Sequence, residues 1–236
     1  MATERVLLIV PTYNERDNVR EVAERFLGPV PDSELLFVDD ASPDGTGAIL
    51  DELCAADARI HVLHRAGKLG LGTAYLEAFA WGIEHGFDYL IEMDADFSHD
   101  PRHLPAIVDL ARQGADVVVG SRYVDGGGTV NWGIGRQLLS RGGGLYARTV
   151  LGVKIRDLTS GFVCYRREAL EALDLDGVQS NGYSFQIEMK YRAVKAGLRV
   201  VEHPIVFIDR RVGQSKMSKA IFGEALLMVW KLRLRA

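Results

Sequence analysis

Short apolar runs alternate with helix-patterned segments through the first 120 residues, and this alternation limits the possible folds more than any other feature of the sequence. Each run has the length of a buried strand and is followed by a turn and by apolar residues at helical spacing. The predicted strands are Arg5–Val10, Glu34–Val38, Ile60–Leu63, Tyr89–Ile91 and Val117–Gly120. The repeat predicts an α/β fold with a mostly parallel central sheet and helices on both faces.

Helices are predicted between these strands, and the regular pattern loosens after the fifth one. The first helix is expected to begin near Asn14, and the others to cover about 46–56, a segment ending near His85, and 102–113. The later elements are a glycine-rich loop that could close as a lid (Tyr123–Gly135), helices over Gly135–Leu151, Phe185–Ala196 and Lys219–Leu234, and strands over Phe162–Tyr165 and Val200–Ile208. One domain over residues 1–236 is expected, with 218–236 as an amphipathic C-terminal helix.

Two carboxylates separated by one small residue, Asp94 and Asp96, follow the fourth strand. Carboxylates at the exit of a buried strand are costly unless a cation meets them. Mg²⁺ or Mn²⁺ would suit, since such ions combine one or two carboxylates with water and substrate phosphate oxygens. On this stretch alone an ordinary solvated turn, built from Asp, Ser and Pro, is an equal alternative.

The first two strands also end in polar residues. Tyr13 could stack on a nucleobase and Glu15 could accept from base or sugar donors, although a helix start capped by Asn14 explains the same residues. Asp39 and Asp40 could hold ribose hydroxyls or base N–H groups, or could simply form a turn. Because the carboxyl ends of parallel strands share one edge, three successive acidic ends are a stronger signal than any single one.

Glycines and cations complete the pattern. The Gly67–Gly72 loop fits neither the P-loop nor the dinucleotide fingerprint and is interpreted as a place of close backbone packing. Four basic residues could bind phosphate groups. Arg122 follows the fifth strand, Arg136 follows the loop Tyr123–Gly135, and Arg210 and Lys216 follow the last strand. Solvated surface charge remains the alternative for each of them.

The overall composition bounds the partners and the compartment. A net charge of −4 argues against nucleic acid as the main partner. The N-terminus has no signal-peptide core, and the longest apolar stretch near the C-terminus, Ala225–Trp230, is too short to span a bilayer. Cys54 and Cys164 have no metal-binding spacing and lie in apolar surroundings, which favours reduced thiols and a cytoplasmic location.

Together these motifs resemble the family-2 glycosyltransferases with the GT-A nucleotide-diphospho-sugar transferase fold, and more closely the polyprenol-phosphate (dolichol-phosphate) mannosyltransferases. The matching pieces are Pro11-Thr-Tyr-Asn-Glu15, Val38-Asp-Asp-Ala-Ser-Pro-Asp-Gly-Thr46, Met93-Asp-Ala-Asp96, Gly120-Ser-Arg-Tyr123, Asp157-Leu-Thr-Ser-Gly-Phe162, Gln186-Ile-Glu188, and Arg210 with Lys216 in Gly-Gln-Ser-Lys. The similarity extends over nearly the whole chain. The Asp-Leu-Thr-Ser-Gly-Phe and Gly-x-Ser-Lys pieces are its most specific parts.

The resemblance implies GDP-mannose as donor, a polyprenyl phosphate as acceptor, and inverting transfer assisted by Mg²⁺ or Mn²⁺. It implies that the donor is bound by eleven residues: Pro11, Tyr13, Glu15, Val38, Asp40, Asp94, Ala95, Asp96, Arg122, Arg210 and Lys216. Within this set Asp94 and Asp96 would hold the metal, and Asp96, Arg122, Arg210 and Lys216 would be catalytic. Arg122 and Arg136 would meet the acceptor phosphate. Some relatives carry Gln at the position of Ser98, so the metal could keep an extra water here.

Some relatives also carry C-terminal membrane helices that this chain lacks. The resemblance therefore implies a protein on the cytoplasmic face of a membrane, reached through an anchoring partner or through its own basic C-terminal helix. A glucosyltransferase that uses a UDP-sugar, and a non-catalytic nucleotide-sugar-binding subunit, are the alternative functions.

Overall fold

A computed structural model describes residues 4–208 and 227–234 of the chain. Its strands are β1 (Val6–Thr12), β2 (Ser33–Asp39), β3 (Ile60–His64), β4 (Tyr89–Glu92), β5 (Val117–Ser121), β6 (Gly128–Val130), β7 (Val163–Arg166), β8 (Val200–Pro204) and β9 (Val206–Ile208). Its helices are α1 (Val19–Leu27), α2 (Thr46–Ala56), α3 (Leu71–Glu84), α4 (Leu104–Arg112), α5 (Ile134–Leu151), α6 (Arg167–Ala172) and α7 (Tyr183–Lys195).

The main sheet has the strand order β3-β2-β1-β4-β7-β5-β8. Its pairs are parallel except at β7, which runs antiparallel to both β4 and β5. Thr12 at the end of β1 pairs with Asp39 at the end of β2, and Ile9 pairs with Glu92 at the end of β4. The segments that leave these three neighbouring strands therefore emerge along one edge, as the sequence predicts.

The core lies on both faces of this sheet. Alternate residues of β1 point to opposite sides, as the period of a strand requires. Val6, Leu8 and Val10 pack with α1 and α4, whereas Leu7 and Ile9 pack with α3 and α7. The prediction of a mostly parallel sheet covered on both faces is confirmed.

The first helix begins later than the sequence suggests. The sequence predicts a start near Asn14, but α1 begins at Val19 and Asn14 has a left-handed φ of 60°. The intervening residues are fastened to the turn after β2, where the Asn14 N–H donates to Ser42 Oγ and the Glu15 N–H donates to Thr46 Oγ1. These long-range bonds hold the segment in an extended turn.

Two further predictions are corrected by a small second sheet. The loop Tyr123–Gly135 contains β6, and the predicted strand Val200–Ile208 is divided into β8 and β9, of which β9 pairs with β6. A Cβ at Gly127 would lie only 2.6 Å from the Ser121 carbonyl oxygen, so the turn before β6 needs a glycine. Part of the predicted lid is thus fixed to the end of the main sheet.

A third apolar cluster joins the C-terminal part of the chain to the outer side of α7. It contains Ala147 and Leu151 of α5, Ile187 and Tyr191 of α7, and Val229 and Leu232 from the helical residues 227–234. The predicted C-terminal helix is thus present over 227–234, and the rest of 218–236 lies outside the described residues. Among residues 4–208 and 227–234, the structure has no helix with the length and hydropathy of a membrane span.

Candidate active site

The acidic ends of β2, β1 and β4 form one row at the edge of the sheet. Asp39 is the last residue of β2, and Asp40 follows it. Glu15 is the third residue after β1, and Asp94 is the second residue after β4. Since these strands are neighbours, the topology brings together the three carboxylate motifs that the sequence singled out. Ligands bind at this edge in open α/β sheets.

Asp94 and Asp96 stand in a tight turn beside a buried histidine. The Asp94 N–H donates to His99 Nδ1, and His99 Nε2 lies 3.9 Å from Asp94 Oδ2. Ser98 donates to Asp96 Oδ1 through its N–H and its hydroxyl, at 3.0 and 2.5 Å. A Cβ at Gly161 would lie 3.8 Å from Asp94 Oδ2, so the segment before β7 passes close to this carboxylate.

The pair suits a hard divalent cation. Both carboxylates are partly exposed, and the Ser98 bonds fix the orientation of Asp96. Among the residues that the structure describes, no group of three or more His, Cys, Asp or Glu side chains surrounds a common point. A cation here would therefore take its other ligands from water and a bound diphosphate, the arrangement typical of Mg²⁺ sites.

The predicted nucleoside region is built from the ends of β1 and β2 and the loop before α3. Arg65 donates to Asp40 Oδ1 at 2.5 Å and to Thr73 Oγ1 at 2.6 Å, and its side chain is almost fully buried. Lys68 Nζ lies 4.0 Å from the centre of the Tyr13 ring. Sequence reasoning did not single out Arg65 or Lys68.

The other residues predicted to bind the sugar-nucleotide donor differ in which of their groups can reach it. Pro11 pairs with Val38 across the sheet, and the side chains of Val38 and Ala95 are buried, so these two could reach a nucleotide only through main-chain groups. Glu15 Oε2 accepts from Asn18 Nδ2 at 2.7 Å. The Gly67–Gly72 loop does pack closely, because a Cβ at Gly72 would lie 2.8 Å from the Ser180 carbonyl oxygen.

Arg122 is held by a buried aspartate. Asp157 accepts from the Arg122 N–H, Nε and Nη2 at 3.0, 2.7 and 2.6 Å, and Nη2 also donates to Thr159. Burial would raise the pKa of Asp157, but the neighbouring guanidinium outweighs it and lowers that pKa below 3.8. Asp157 belongs to one of the motifs that carry the family resemblance, but its pairing with Arg122 is not evident from the sequence.

Aromatic rings surround the two arginines that the sequence predicts to meet phosphate. The Arg122 guanidinium carbon lies 5.6 Å from the centre of the Trp132 ring and 5.4 Å from that of Phe207. The guanidinium carbon of Arg136, on α5, lies 4.1 Å from Trp132. Trp132 thus contacts both predicted phosphate-binding arginines.

Two physical links join this cationic region to the carboxylate pair. His99, beside Asp94, has its ring centre 5.7 Å from that of Phe207, which also lies by Arg122. The segment from Asp157 to Gly161 binds Arg122 at one end and passes near Asp94 at the other, where a Cβ at Gly161 would lie 3.8 Å from Asp94 Oδ2. Four steps of about 3.8 Å between Cα atoms limit its span to about 15 Å. Arg210 and Lys216 lie outside the described residues.

A buried polar network lies beneath the carboxylate pair and the segment before β7. Glu92, the last residue of β4, accepts from Gln186 Nε2, and Lys190 Nζ donates to Gln186 Oε1 and to the Ser160 carbonyl oxygen. Burial raises the pKa of Glu92 to about 8 and lowers that of Lys190 to about 8. The network ties β4 and the segment before β7 to α7, and it gives Gln186 of the Gln186-Ile-Glu188 motif a structural role.

Comparison with known proteins supports the sequence motifs. The model of "Glycosyl transferase family 2" matches residues 7–174. An "Undecaprenyl-phosphate mannosyltransferase" of Micrococcus luteus is 49% identical over 232 residues, which cover 98% of this chain and 95% of the relative. A "Polyprenol monophosphomannose synthase" of Mycolicibacterium smegmatis is 49% identical over 234 residues, covering 98% of this chain and 88% of the relative.

Solved structures with low identity share the fold. Glucosyl-3-phosphoglycerate synthase from Mycobacterium tuberculosis, solved with Mn²⁺, UDP and phosphoglyceric acid, superposes with a TM-score of 0.71 at 19% identity over 98% of this chain and 79% of that one. A second complex of that enzyme, with Mn²⁺, UDP and glucosyl-3-phosphoglycerate, gives 0.67 at 20% identity, covering 99% and 80%. Both the predicted fold class and the predicted resemblance are confirmed: the chain belongs to glycosyl transferase family 2 and has its GT-A fold.

Proposed function

We propose that this chain transfers mannose from GDP-mannose to the phosphate of a polyprenyl monophosphate. The observation that carries the proposal is the 49% identity, over nearly the full length, to two proteins named as polyprenyl-phosphate mannose synthases. The row of carboxylates beside a cluster of arginines and aromatic rings supports the same chemistry.

The reaction is a single displacement that inverts the anomeric carbon. An oxygen of the acceptor phosphate attacks that carbon, and the bond to the GDP diphosphate breaks. A phosphate monoester is already anionic near neutral pH, so its oxygen needs no general base. The difficulty is electrostatic instead, because two phosphate groups must approach each other, and arginine and lysine side chains can offset that repulsion.

The residues divide into three roles. Tyr13, Glu15 and Asp40, with the main chain of Pro11 and Val38, hold the guanosine, and Arg65 orients Asp40. The main chain of Ala95 contacts the ribose-diphosphate part of the donor. Asp94 and Asp96 would hold a divalent cation, Mg²⁺ or Mn²⁺, which would supply positive charge to offset that of the leaving diphosphate. Arg122, Arg210 and Lys216 meet the donor phosphates, and Arg136, with Arg122, meets the acceptor phosphate.

Transfer of radiolabelled mannose from GDP-mannose to a short polyprenyl phosphate, with and without chelator, tests the proposal. Asp96→Asn keeps the acceptor of the Ser98 hydrogen bonds but removes the charge, and should lower turnover by about 10²–10³-fold. Asp109→Asn is the matched control, since that carboxylate is exposed on α4. Near-normal turnover of Asp96→Asn at saturating metal would show that the site is wrongly assigned.

The acceptor role is tested at Arg136 rather than at Arg122. Replacing Arg122 would leave the buried Asp157 without its partner and confound activity with folding. Arg136→Gln should raise the apparent KM for the lipid phosphate, while GDP affinity measured by calorimetry stays unchanged. Arg20→Gln, at an exposed position of α1, is the control, and equal loss of GDP binding and transfer in Arg136→Gln would contradict the assignment.

The identity of the donor is tested by ligand-dependent thermal stability. GDP and GDP-mannose should raise the melting temperature more than UDP and UDP-glucose at equal concentration. The reverse order would favour the glucosyltransferase alternative, and nucleotide binding without any sugar transfer would favour a non-catalytic subunit. Because the acceptor is a lipid, we place the protein at the cytoplasmic face of a membrane, bound peripherally or through an anchoring partner.

A further inference from the structure

Helix α7 carries a completely buried lysine that has no part in the reaction as proposed. Lys190 has no exposed surface, although an uncompensated ammonium group is among the most costly groups to bury. Its Nζ donates to the Ser160 carbonyl oxygen at 2.7 Å, to the Gln186 carbonyl oxygen at 3.3 Å and to Gln186 Oε1 at 2.8 Å. Each N–H of the ammonium group thus has an acceptor, and Ser160 supplies the acceptor that lies outside α7.

Gln186 also connects this lysine to a buried carboxylate. Gln186 Nε2 donates to Glu92 Oε2 at 2.7 Å, whereas Glu92 Oε1 has no hydrogen-bond partner among the residues that the structure describes. Burial raises the pKa of Glu92 to about 8, and the charge of Lys190 opposes that rise. Balancing the charge of Glu92 is therefore one role of Lys190. The hydrogen bond to Ser160 is a separate contact that charge balance does not require.

Ser160 is held on two sides. Its carbonyl oxygen accepts from Lys190, and its hydroxyl donates to the Gly120 carbonyl oxygen of β5 at 2.6 Å. The Phe162 N–H donates to Ser160 Oγ at 3.3 Å. Ser160 therefore joins α7 to β5 and fixes the path of the chain just before β7.

This part of the chain carries groups from both sides of the candidate active site. Asp157 lies shortly before Ser160 and holds Arg122 through its carboxylate. Gly161 follows Ser160 directly, and a Cβ at Gly161 would lie 3.8 Å from Asp94 Oδ2. The position of the Ser160 carbonyl therefore affects where Arg122 stands relative to Asp94.

We propose that Lys190 is a positioning residue, which holds the Ser160 carbonyl and so sets the spacing between Arg122 and the Asp94–Asp96 pair. The inference rests on the proposed function, since this spacing matters when a diphosphate and an acceptor phosphate meet there. A displacement of about 1 Å far from the reacting atoms can lower a rate about hundredfold. The hydrogen bonds of Lys190 do not reach the residues proposed to hold the guanosine, so nucleotide affinity should not depend on it.

Lys190→Met keeps the length of the side chain and removes its hydrogen bonds. We expect kcat for transfer from GDP-mannose to a short polyprenyl phosphate to fall about ten- to hundredfold, while KM for GDP-mannose and GDP affinity in calorimetry change by less than about twofold. The matched control is Met189→Ala, because Met189 is equally buried on α7 but belongs to the apolar cluster. Met189→Ala should lower the urea midpoint through the cavity it leaves and keep normal kcat at temperatures where the variant is folded.

A double variant separates positioning from charge balance. Lys190→Met leaves Glu92 buried without an opposite charge, which by itself destabilises the fold. Glu92→Gln/Lys190→Met removes both charges and keeps an acceptor for the Gln186 Nε2 hydrogen bond, so its urea midpoint should recover towards that of the wild type. Its kcat should stay low, because the Ser160 carbonyl still lacks its donor. Full recovery of kcat would overturn the inference, since Lys190 would then only balance charge.

Hydrogen exchange measured by mass spectrometry tests the placement without any substrate. The Asp157 N–H donates to Glu202 Oε1 at 3.0 Å and the Arg122 N–H to Asp157 Oδ2 at 3.0 Å. Residues 156–162 should exchange faster in Lys190→Met and in the double variant, and at the wild-type rate in Met189→Ala.

Three results would overturn the inference: unchanged exchange over 156–162, a fall in kcat no larger than that of Met189→Ala, or equal losses of GDP affinity and kcat in Lys190→Met. A wild-type chain that transfers no mannose would instead contradict the proposed function. The exchange result would then decide alone whether Lys190 holds this segment, since it needs no transfer.

Discussion

Removing the carboxylate that holds Arg122 should destabilise the protein strongly. Asp157 is fully buried, Arg122 is only 8% exposed, and three charge-assisted hydrogen bonds of 2.6–3.0 Å join them. Asp157→Ala would remove the carboxylate of a buried ion pair and leave the charge of Arg122 in the interior, and breaking such a pair typically costs about 3–5 kcal/mol in the free energy of unfolding. Urea unfolding followed by circular dichroism measures the change as a lower midpoint at an unchanged slope.

The control is Glu21→Ala, which breaks the exposed Arg25–Glu21 pair of α1 and should cost less than about 1 kcal/mol. The double variant Arg122→Met/Asp157→Leu should recover part of the loss, since apolar residues can replace a buried pair. The pKa of Asp157 is lower in the folded state than its usual 3.8. Its stabilisation is therefore complete above pH 3.8 and is lost as pH falls through the folded pKa. If Asp157→Ala lowered the free energy of unfolding by less than about 1 kcal/mol, the proposed role of the buried pair would be refuted.

Three further predictions concern the surroundings of the site. Gly72→Ala should destabilise by about 1–3 kcal/mol in urea unfolding, because the new Cβ would lie 2.8 Å from the Ser180 carbonyl oxygen, whereas Gly67→Ala in open space should not. Burial raises the pKa of Glu92 to about 8 from 4.5, so stability should fall as pH rises between these values. Glu92→Gln should remove that contribution, and parallel pH profiles would contradict the assignment. Arg65→Gln should weaken GDP binding about tenfold in calorimetry, because Asp40 loses the group that orients it; unchanged affinity would exclude that role.

The sequence predicts the elements whose signals are local. The strand cores of β1, β2, β4 and β5 follow from short apolar runs, and α2 from the turn residues before Thr46 and the helical spacing after it. The convergence of the acidic motifs follows from parallel topology alone. By contrast, the β6–β9 pair joins segments about 80 residues apart, and nothing local in Gly128–Val130 indicates its partner.

Partners of charged residues are the other part that the sequence does not reveal. Asp40 pairs with Arg65 and Asp157 with Arg122, at separations of 25 and 35 residues, and no periodic pattern relates them. The burial of Lys190 is likewise not predictable from the sequence, because a lysine on an amphipathic helix is normally expected at the surface. Here it is fully buried, and Gln186 and the Ser160 carbonyl oxygen accept its hydrogen bonds.

These long-range pairs would allow an edge rich in carboxylates to bind the anionic sugar nucleotide that we propose as its ligand. Asp40 is offset by Arg65 and Asp157 by Arg122, so the field at this edge is weaker than the acidic sequence motifs suggest. The Asp94–Asp96 turn, next to His99, is then the place where added positive charge has the largest effect on a bound diphosphate. It follows that neutralising Asp96 should weaken binding of divalent metal and diphosphate together, whereas neutralising Asp157 should act first on folding.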